Sequence, residues 1–482
     1  MSQPSRGSAK PLPYDSKDKY SILEHALAAR GRTITEVIDR ALIPPSVFKP
    51  TNKGAIGNII QECLFGIRCN SRKEVDFEEA NLELKIIPLE KASQGYRVKE
   101  RTKICLINYT ELIHEKWSTS HAKSKLNSIL FLYYIYDPLV ASRSRIHHAD
   151  IWTLDKRIEA PIISEDWSRV QAMVCAGRAH ELSETLSRIL AATTTGSGHG
   201  ATVAQPNPLI SGEPPVRAKP RAFTLKQAFT KQRWLELAKN VQYETIRMVL
   251  PDINSDNFES KIIEKLSKFV GKSLQEISET LDIPSPKGKN AAATIVKKAI
   301  GFKNVNARIK EFEQLGLHVR IVPVQEGSLR PLEATSFPTM KLKEFVEEDW
   351  DEATLREFIE FMLFIPVLSK GSKMPLSKKI VGRPFFWRPS ESEMRIIGDE
   401  WARYQEQVKK GKAKTHVEQH GKKKVRVTDL MKSSETDITH IRPHAKDGTD
   451  MDVDPFGNKV VKQSFWLNQN FIHQLVQKAY QK

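Results

Sequence analysis

The chain has 482 residues, enough for two cores of ordinary size. Its content of 40% hydrophobic and 28% charged residues is that of a soluble globular protein, and its longest apolar run, residues 129–135, is far too short to span a bilayer. A formal net charge of +17 favours a polyanionic partner, because lysine and arginine release condensed counterions when they meet phosphates.

The first 17 residues are polar, lack the apolar core of a signal peptide and are expected to form a disordered tail. The expected location is the cytoplasm, with no membrane association. Leu23, Ala26, Leu27, Ile34, Val37 and Ile38 recur at helical spacing, interrupted by a turn at Gly31. A second helix carries Ile56, Ile59, Ile60, Cys63 and Leu64 on one face and should end at Gly66, a good C-cap. Residues 82–87 alternate with period two, which predicts a strand stopping at Pro88. Further strands are predicted at 103–109 and 129–136, and one or two amphipathic helices over 167–190. Residues 193–220, rich in Gly, Pro, Ser and Thr, are too long for an ordinary connection and read as a spacer or a ligand-wrapping loop. Residues 409–426 form a basic segment, read as a solvated face or a stripe for a DNA backbone. Cys63, Cys69, Cys105 and Cys175 include no CxxC pair, so a zinc site is not expected and core packing in a reducing compartment is.

An internal repeat decides the architecture. Residues 31–38 match 271–277, and 84–88 match 319–323. Trp117 with 129–131 matches Trp350 with 362–364, and 223–229 match 465–471. The offsets of 240, 235, 233 and 242 residues keep the four pieces in order, as a duplicated domain requires. The domains are placed at 18–236 and 237–482. Each is expected to be α+β, a mixed sheet flanked by helices.

The first copy carries a chemical constellation that the second has lost. Glu83 and Lys85 are two apart on a predicted strand and share a face. Asp76 lies seven residues earlier, from where a carboxylate can fold back to the same point. Two converging carboxylates suit a hard cation such as magnesium, which can polarise a phosphate and lower the pKa of a bound water. Lys85 would orient that water or neutralise developing charge. Glu62 on the upstream helix is a candidate third carboxylate, and Lys125 a candidate second cation. In the second copy Glu62, Asp76, Glu83, Lys85 and Lys125 align with Lys297, Glu311, His318, Arg320 and Phe358. The apolar frame survives while the charged set is lost, and the basic replacements should repel a metal and attract phosphate.

These residues, with Gly54–Gly66, the stretch from Trp117 to Lys125 and 221–226 in the first half, and 440–444 and 462–467 in the second, resemble the MutH and Sau-type GATC endonuclease family. The resemblance runs from about residue 20 to 478. It implies two tandem MutH-like domains and a type II restriction endonuclease that cuts double-stranded GATC DNA with Mg2+. Glu62, Asp76 and Glu83 would be metal ligands, and Lys85 and Lys125 catalytic cations. The second half would be a silent copy that binds a second DNA site and acts allosterically. Arg442, Pro443 and His444 fall where the family's recognition loop lies, while the matching first-half segment, 193–199, has no Arg-Pro pair. Arg221, Lys226, Arg442, His444 and Trp466 are the candidate DNA contacts, and the chain is expected to be a monomer that assembles on DNA. Two other readings stand beside this one: a non-cleaving DNA-binding regulator, and a mismatch-repair-type nicking endonuclease.

Overall fold

In the computed structural model the described residues are 11–481 without 47–52, 70–72, 92–94, 99, 156–157, 196–201, 206–216, 239–242, 284–290, 305–307, 351–352, 372–373, 421–422 and 448. The chain divides into two compact units, Met1–Ala238 and Lys239–Lys482. Both are α+β.

In the first unit, Asp18 caps α1 (Lys19–Ala28), and a Thr33–Glu36 capping box starts α2 (Ile34–Asp39). α3 (Lys53–Ile59) runs into a π-helical turn, Ile60–Leu64, and Gly66 then takes a left-handed φ of 70° to end it. The main sheet has the order β2 (Tyr96–Val98), β1 (Glu83–Lys91), β4 (Ser128–Ile135), β5 (Arg145–Thr153). β1 and β4 are parallel, with Glu83 opposite Ile129 and Lys85 opposite Phe131. β4 is buried on both faces up to its last residue, which explains its unbroken apolar sequence. A second sheet places β7 (Arg221–Leu225) between β3 (Thr102–Leu106) and β6 (Leu190–Thr194). Helices α4 (Tyr109–Leu112), α5 (His121–Leu126), α6 (Glu159–Cys175) and α7 (Gln227–Leu237) complete the unit.

Several predicted elements differ from those observed. Residues 1–10 lie outside the described set, but 11–17 are ordered: Tyr14 is buried and its hydroxyl donates to the Phe65 carbonyl at 2.6 Å. The strand does not stop at Pro88. The Leu89 carbonyl accepts from Tyr136 on the β4 side, so Pro88 turns its missing N–H the other way, where pairing with β2 begins only at Leu89. Nor is 167–190 helical throughout. α6 starts eight residues earlier, with Pro161 tolerated in its first turn, and Leu190 already belongs to β6. Of the predicted long loop, 193–195, 202–205 and 217–220 are described: Thr193 and Thr194 belong to β6 rather than to a loop, and Val203 bridges to Ala218.

The second unit repeats this plan. α8 (Phe258–Ser267), α9 (Leu274–Thr280) and α10 (Ala291–Ile300) precede α11 (Lys310–Gln314) and β10 (Leu317–Gln325). A short pair, β8 (Tyr243–Glu244) and β9 (Arg308–Ile309), brackets those helices in sequence. β10 is parallel to β12 (Phe361–Ser369), with His318 opposite Met362 and Arg320 opposite Phe364. β13 (Ile380–Val381) and β14 (Phe385–Trp387) pair with β12. β20 (Gln463–Leu467) lies between β11 (Thr335–Met340) and β17 (Thr439–Pro443). Helices α12 (Leu342–Phe345), α13 (Thr354–Ile359), α14 (Glu391–Lys409) and α15 (Gln469–Gln481) follow the first unit's α4 to α7. Two ribbons follow α14: β15 (Thr415–His420) with β16 (Lys423–Thr428), and β18 (Met451–Val453) with β19 (Lys459–Val461), the latter between β17 and β20 where the first unit has its Val203–Ala218 bridge between β6 and β7.

The duplication extends to individual hydrogen bonds. Gly31 N–H donates to Ile146 O, and Gly271 N–H to Val381 O. Gln171 reaches the carbonyls of Leu112 and Glu115, and Gln405 those of Phe345 and Glu348. Asp166, buried on α6, accepts from the amides of Arg188, Ile189 and Leu190 where β6 begins. Glu400, buried on α14, accepts from Asp437, Ile438 and Thr439 where β17 begins.

Candidate active site

One end of β1 opens onto a cleft of ≈ 460 Å³ in the first unit, lined among others by Asp76, Glu83, Lys85 and Lys125. Glu83 is 2% exposed and sits between two ammonium groups. Lys85, on the same face of the strand, donates to Oε1 at 2.6 Å. Lys125 donates to Oε1 and Oε2 at 3.0 and 2.9 Å and also to the Glu74 carbonyl at 3.0 Å. α5 delivers Lys125, and Ser120 starts that helix by accepting from Lys123 N–H.

Asp76 is held by a tight turn in which Asn81 adopts a φ of 50° and Phe77 bridges to Leu82. Its Oδ2 accepts from Leu84 N–H at 2.9 Å, which folds the carboxylate back onto β1. Burial, and then the charge of Glu83, hold its carboxyl above the usual carboxylate range. Two carboxylates facing one cleft invite a cation between them.

Glu62 does not join this group. Its carboxylate is turned to Ser46 N–H at 2.6 Å, with Cys69 N–H at 3.5 Å and Arg68 at 3.4 Å, and it does not line the cleft. Gln61 takes the place expected for it: it lines the cleft and donates to Asp76 Oδ1 at 3.3 Å. The π-helical turn at Ile60–Leu64 shifts the helical phase here, and it is Gln61 rather than Glu62 that lines the cleft. Apolar periodicity identifies the helix but not which polar neighbour points inward.

Among the described residues no group of three or more His, Cys, Asp or Glu is arranged to hold a metal. The donor set is two carboxylates and one amide, all oxygen-bearing. A small hard cation that keeps most of its water and takes one or two carboxylates plus a substrate phosphate fits such a set. Of the thiols, Cys63 and Cys105 are buried, Cys69 is half-buried and Cys175 is exposed.

In the second unit Glu311 is buried with its carboxylate on Ile246 N–H at 2.8 Å. The Glu83–Lys125 ion pair is replaced by a ring pair, His318 and Phe358, with centroids 4.7 Å apart. Lys297, half-buried on α10, has its ammonium pKa lowered by desolvation.

The candidate DNA contacts fall into two groups. In β17, His440 and Arg442 alternate onto one face, and His444 follows in phase. Arg442 lies 3.6 Å over the Trp466 ring, while the His444 ring is 4.9 Å from Trp466 and hydrogen-bonds Ser464 at 2.9 Å. The strand registers set Thr193 and Thr224 of the first unit at the positions of Arg442 and Trp466. Lys226 is 8% exposed; burial raises the Asp166 pKa, and the amides of Ile189, Arg188 and Leu190 and then the Lys226 charge oppose that rise, while Arg221 donates to the Ala192 carbonyl at 2.7 Å. Lys226 is therefore a core cation rather than a surface contact. Residues 196–199 of the first-half segment lie outside the described set.

A family model described as DNA mismatch repair enzyme MutH matches residues 65–166 and again 300–400. The chain is 27% identical to the type II restriction enzyme Sau3AI of Staphylococcus aureus, over 95% of this chain and 98% of that protein. It is 27% identical to the DNA mismatch repair protein MutH of Vibrio parahaemolyticus, over 49% of this chain and 100% of that protein. The MutH protein of Pectobacterium atrosepticum is 28% identical over 44% of this chain and 90% of that protein. No helix among the described residues is long and apolar enough to cross a membrane.

Proposed function

Because the chain carries two MutH-family regions and is similar along nearly its whole length to a type II restriction enzyme, we propose that it is a restriction endonuclease that hydrolyses double-stranded DNA with Mg2+ at a short palindrome, GATC. The observation that carries this reading is the convergence of Asp76, Glu83, Lys85 and Lys125 in one cleft of the first unit, with its replacement in the second. The metal, when bound, polarises the scissile phosphate and acidifies a water. Asp76 and Glu83 hold it through oxygens, and Gln61 braces Asp76. Lys125 and Lys85 hold the Glu83 carboxylate by hydrogen bonds and aim it into the cleft. Lys85, the more exposed of the two at 16%, is the group that would meet the non-bridging phosphate oxygens or the attacking water. The second unit, with an aromatic pair in place of the ion pair, binds a second duplex as an effector and does not cut. A duplicate of the whole domain length favours restriction over mismatch nicking.

The test uses the full chain on unmethylated plasmid. Magnesium-dependent double-strand ends should map to GATC and vanish in Asp76→Ala, while duplex binding in EDTA persists. Plasmids with two sites should be cut faster than those with one. Nicks confined to hemimethylated sites, or no cleavage of any unmethylated plasmid, would overturn the reading.

A further inference from the structure

Arg320 occupies the second unit's counterpart of the Lys85 position, and its surroundings have changed more than its charge. Lys85 has Glu83 at 2.6 Å. Arg320 shares its strand face with His318 instead, and the carboxylate is gone. The nearest acidic relic, Glu311, is committed to Ile246 N–H and has Lys310 and Arg247 as its charged neighbours. Among the described residues Arg320 Nη1 donates to the Val319 carbonyl at 3.2 Å, and its enclosed Nε has no hydrogen-bond partner. A guanidinium does not shed its proton, so a sheltered one without a counter-charge is poorly solvated and expensive to keep. Desolvation is accordingly the one influence resolved on it. Its planar fork of donors matches a phosphate oxygen pair.

We propose that the second unit's counterpart of the Lys85 position is a phosphate seat, with Arg320 as its cation and a backbone phosphate of duplex DNA as its ligand. The place where the first unit would break a phosphodiester becomes, in the second, a place that holds one. The DNA identity rests on the function proposed above; the phosphate chemistry does not.

The experiment measures binding of a GATC duplex to the full chain in EDTA at several salt concentrations. Arg320→Met should reduce the slope of log K against log salt by about 0.9, the release associated with one phosphate, while Arg320→Lys should keep most of it. In phosphate-free chloride buffer Arg320→Met should melt no lower than the native chain. Should the Met variant fail to fold, the unaltered chain decides: duplex should protect Arg320 from phenylglyoxal, read by mass spectrometry. An unchanged slope, or no protection, overturns DNA as the ligand. A rise in melting temperature with inorganic phosphate at matched ionic strength, lost in Arg320→Met, supports the phosphate seat even if the chain binds no duplex. If neither duplex nor phosphate acts through Arg320, the seat itself is refuted.

Discussion

Copying the second unit's residues into the first should show whether Glu83 and Lys125 act as one device. The variants are Glu83→His, Lys125→Phe and both together. In the native chain the Glu83 and Lys125 side chains are 2% and 9% exposed, with contacts of 2.9 and 3.0 Å to the two carboxylate oxygens. Removing one partner of a buried ion pair costs about 3–5 kcal/mol, because the other charge is stranded. Lys85 still faces Glu83 after Lys125→Phe, so the lower end applies, about 3 kcal/mol. Glu83→His strands two ammonium groups and should lose at least as much. The double variant strands only Lys85 and regains a ring contact like the 4.7 Å His318–Phe358 pair, worth about 0.5–1.5 kcal/mol. It should therefore lose about 3 kcal/mol rather than the roughly 6 expected from independent effects, a coupling of about 3 kcal/mol. Calorimetry or urea unfolding of the full chain reads this as a fall of about 6–12 °C in one transition for each single variant, with no further comparable fall in the double. Additivity within about 0.5 kcal/mol would refute the idea that these two side chains form one buried unit.

Two other outcomes follow from the cleft. Gln61→Glu places a third carboxylate beside Asp76 and should tighten divalent-metal binding about tenfold, an effect of about 1.4 kcal/mol. Glu62→Gln should leave that affinity within about twofold and instead lower stability by about 1–3 kcal/mol, since two backbone amides lose a charged acceptor. Calcium titration by calorimetry separates the two, and metal loss in Glu62→Gln equal to that in Asp76→Asn would restore Glu62 as a ligand. Asp76→Asn itself bears on pH. Folding raises the pKa of Asp76, so this group's stabilising contribution is present at low pH and is lost as pH rises through the raised value. The metal-free Asn variant should thus be more stable than the native chain at neutral pH, seen as a higher melting temperature, and the gap should close towards low pH. A less stable Asn variant at neutral pH contradicts this account.

The sequence reveals much of the site because strand geometry makes it legible. Glu83 and Lys85 had to share a face, and the repeat singled out Lys125, forty residues away, as part of the same set. Asp76 was legible as a residue that can fold back, though the hydrogen bond from Leu84 that does the folding was not. Glu62 was misread because a charged residue on a half-buried helix can be recruited by a neighbouring loop, here through Ser46 and Cys69. Lys226 was misread for a related reason: its partner, Asp166, lies sixty residues away on α6, and only the tertiary fold brings the charges near each other. The Arg442–Trp466 stack depends on the register between β17 and β20, which alternation within either strand cannot supply.

The paired clamps at Asp166 and Glu400 separate two jobs that one strand performs. Each clamp grips the amides of the strand's first residue and of the two before it, so the strand's position is fixed from behind, by main chain. What projects from its far end then changes without moving it: Thr193 in one unit, Arg442 in the other. The strand is thus a fixed rail whose outward side chains can be exchanged by substitution while its backbone stays in place.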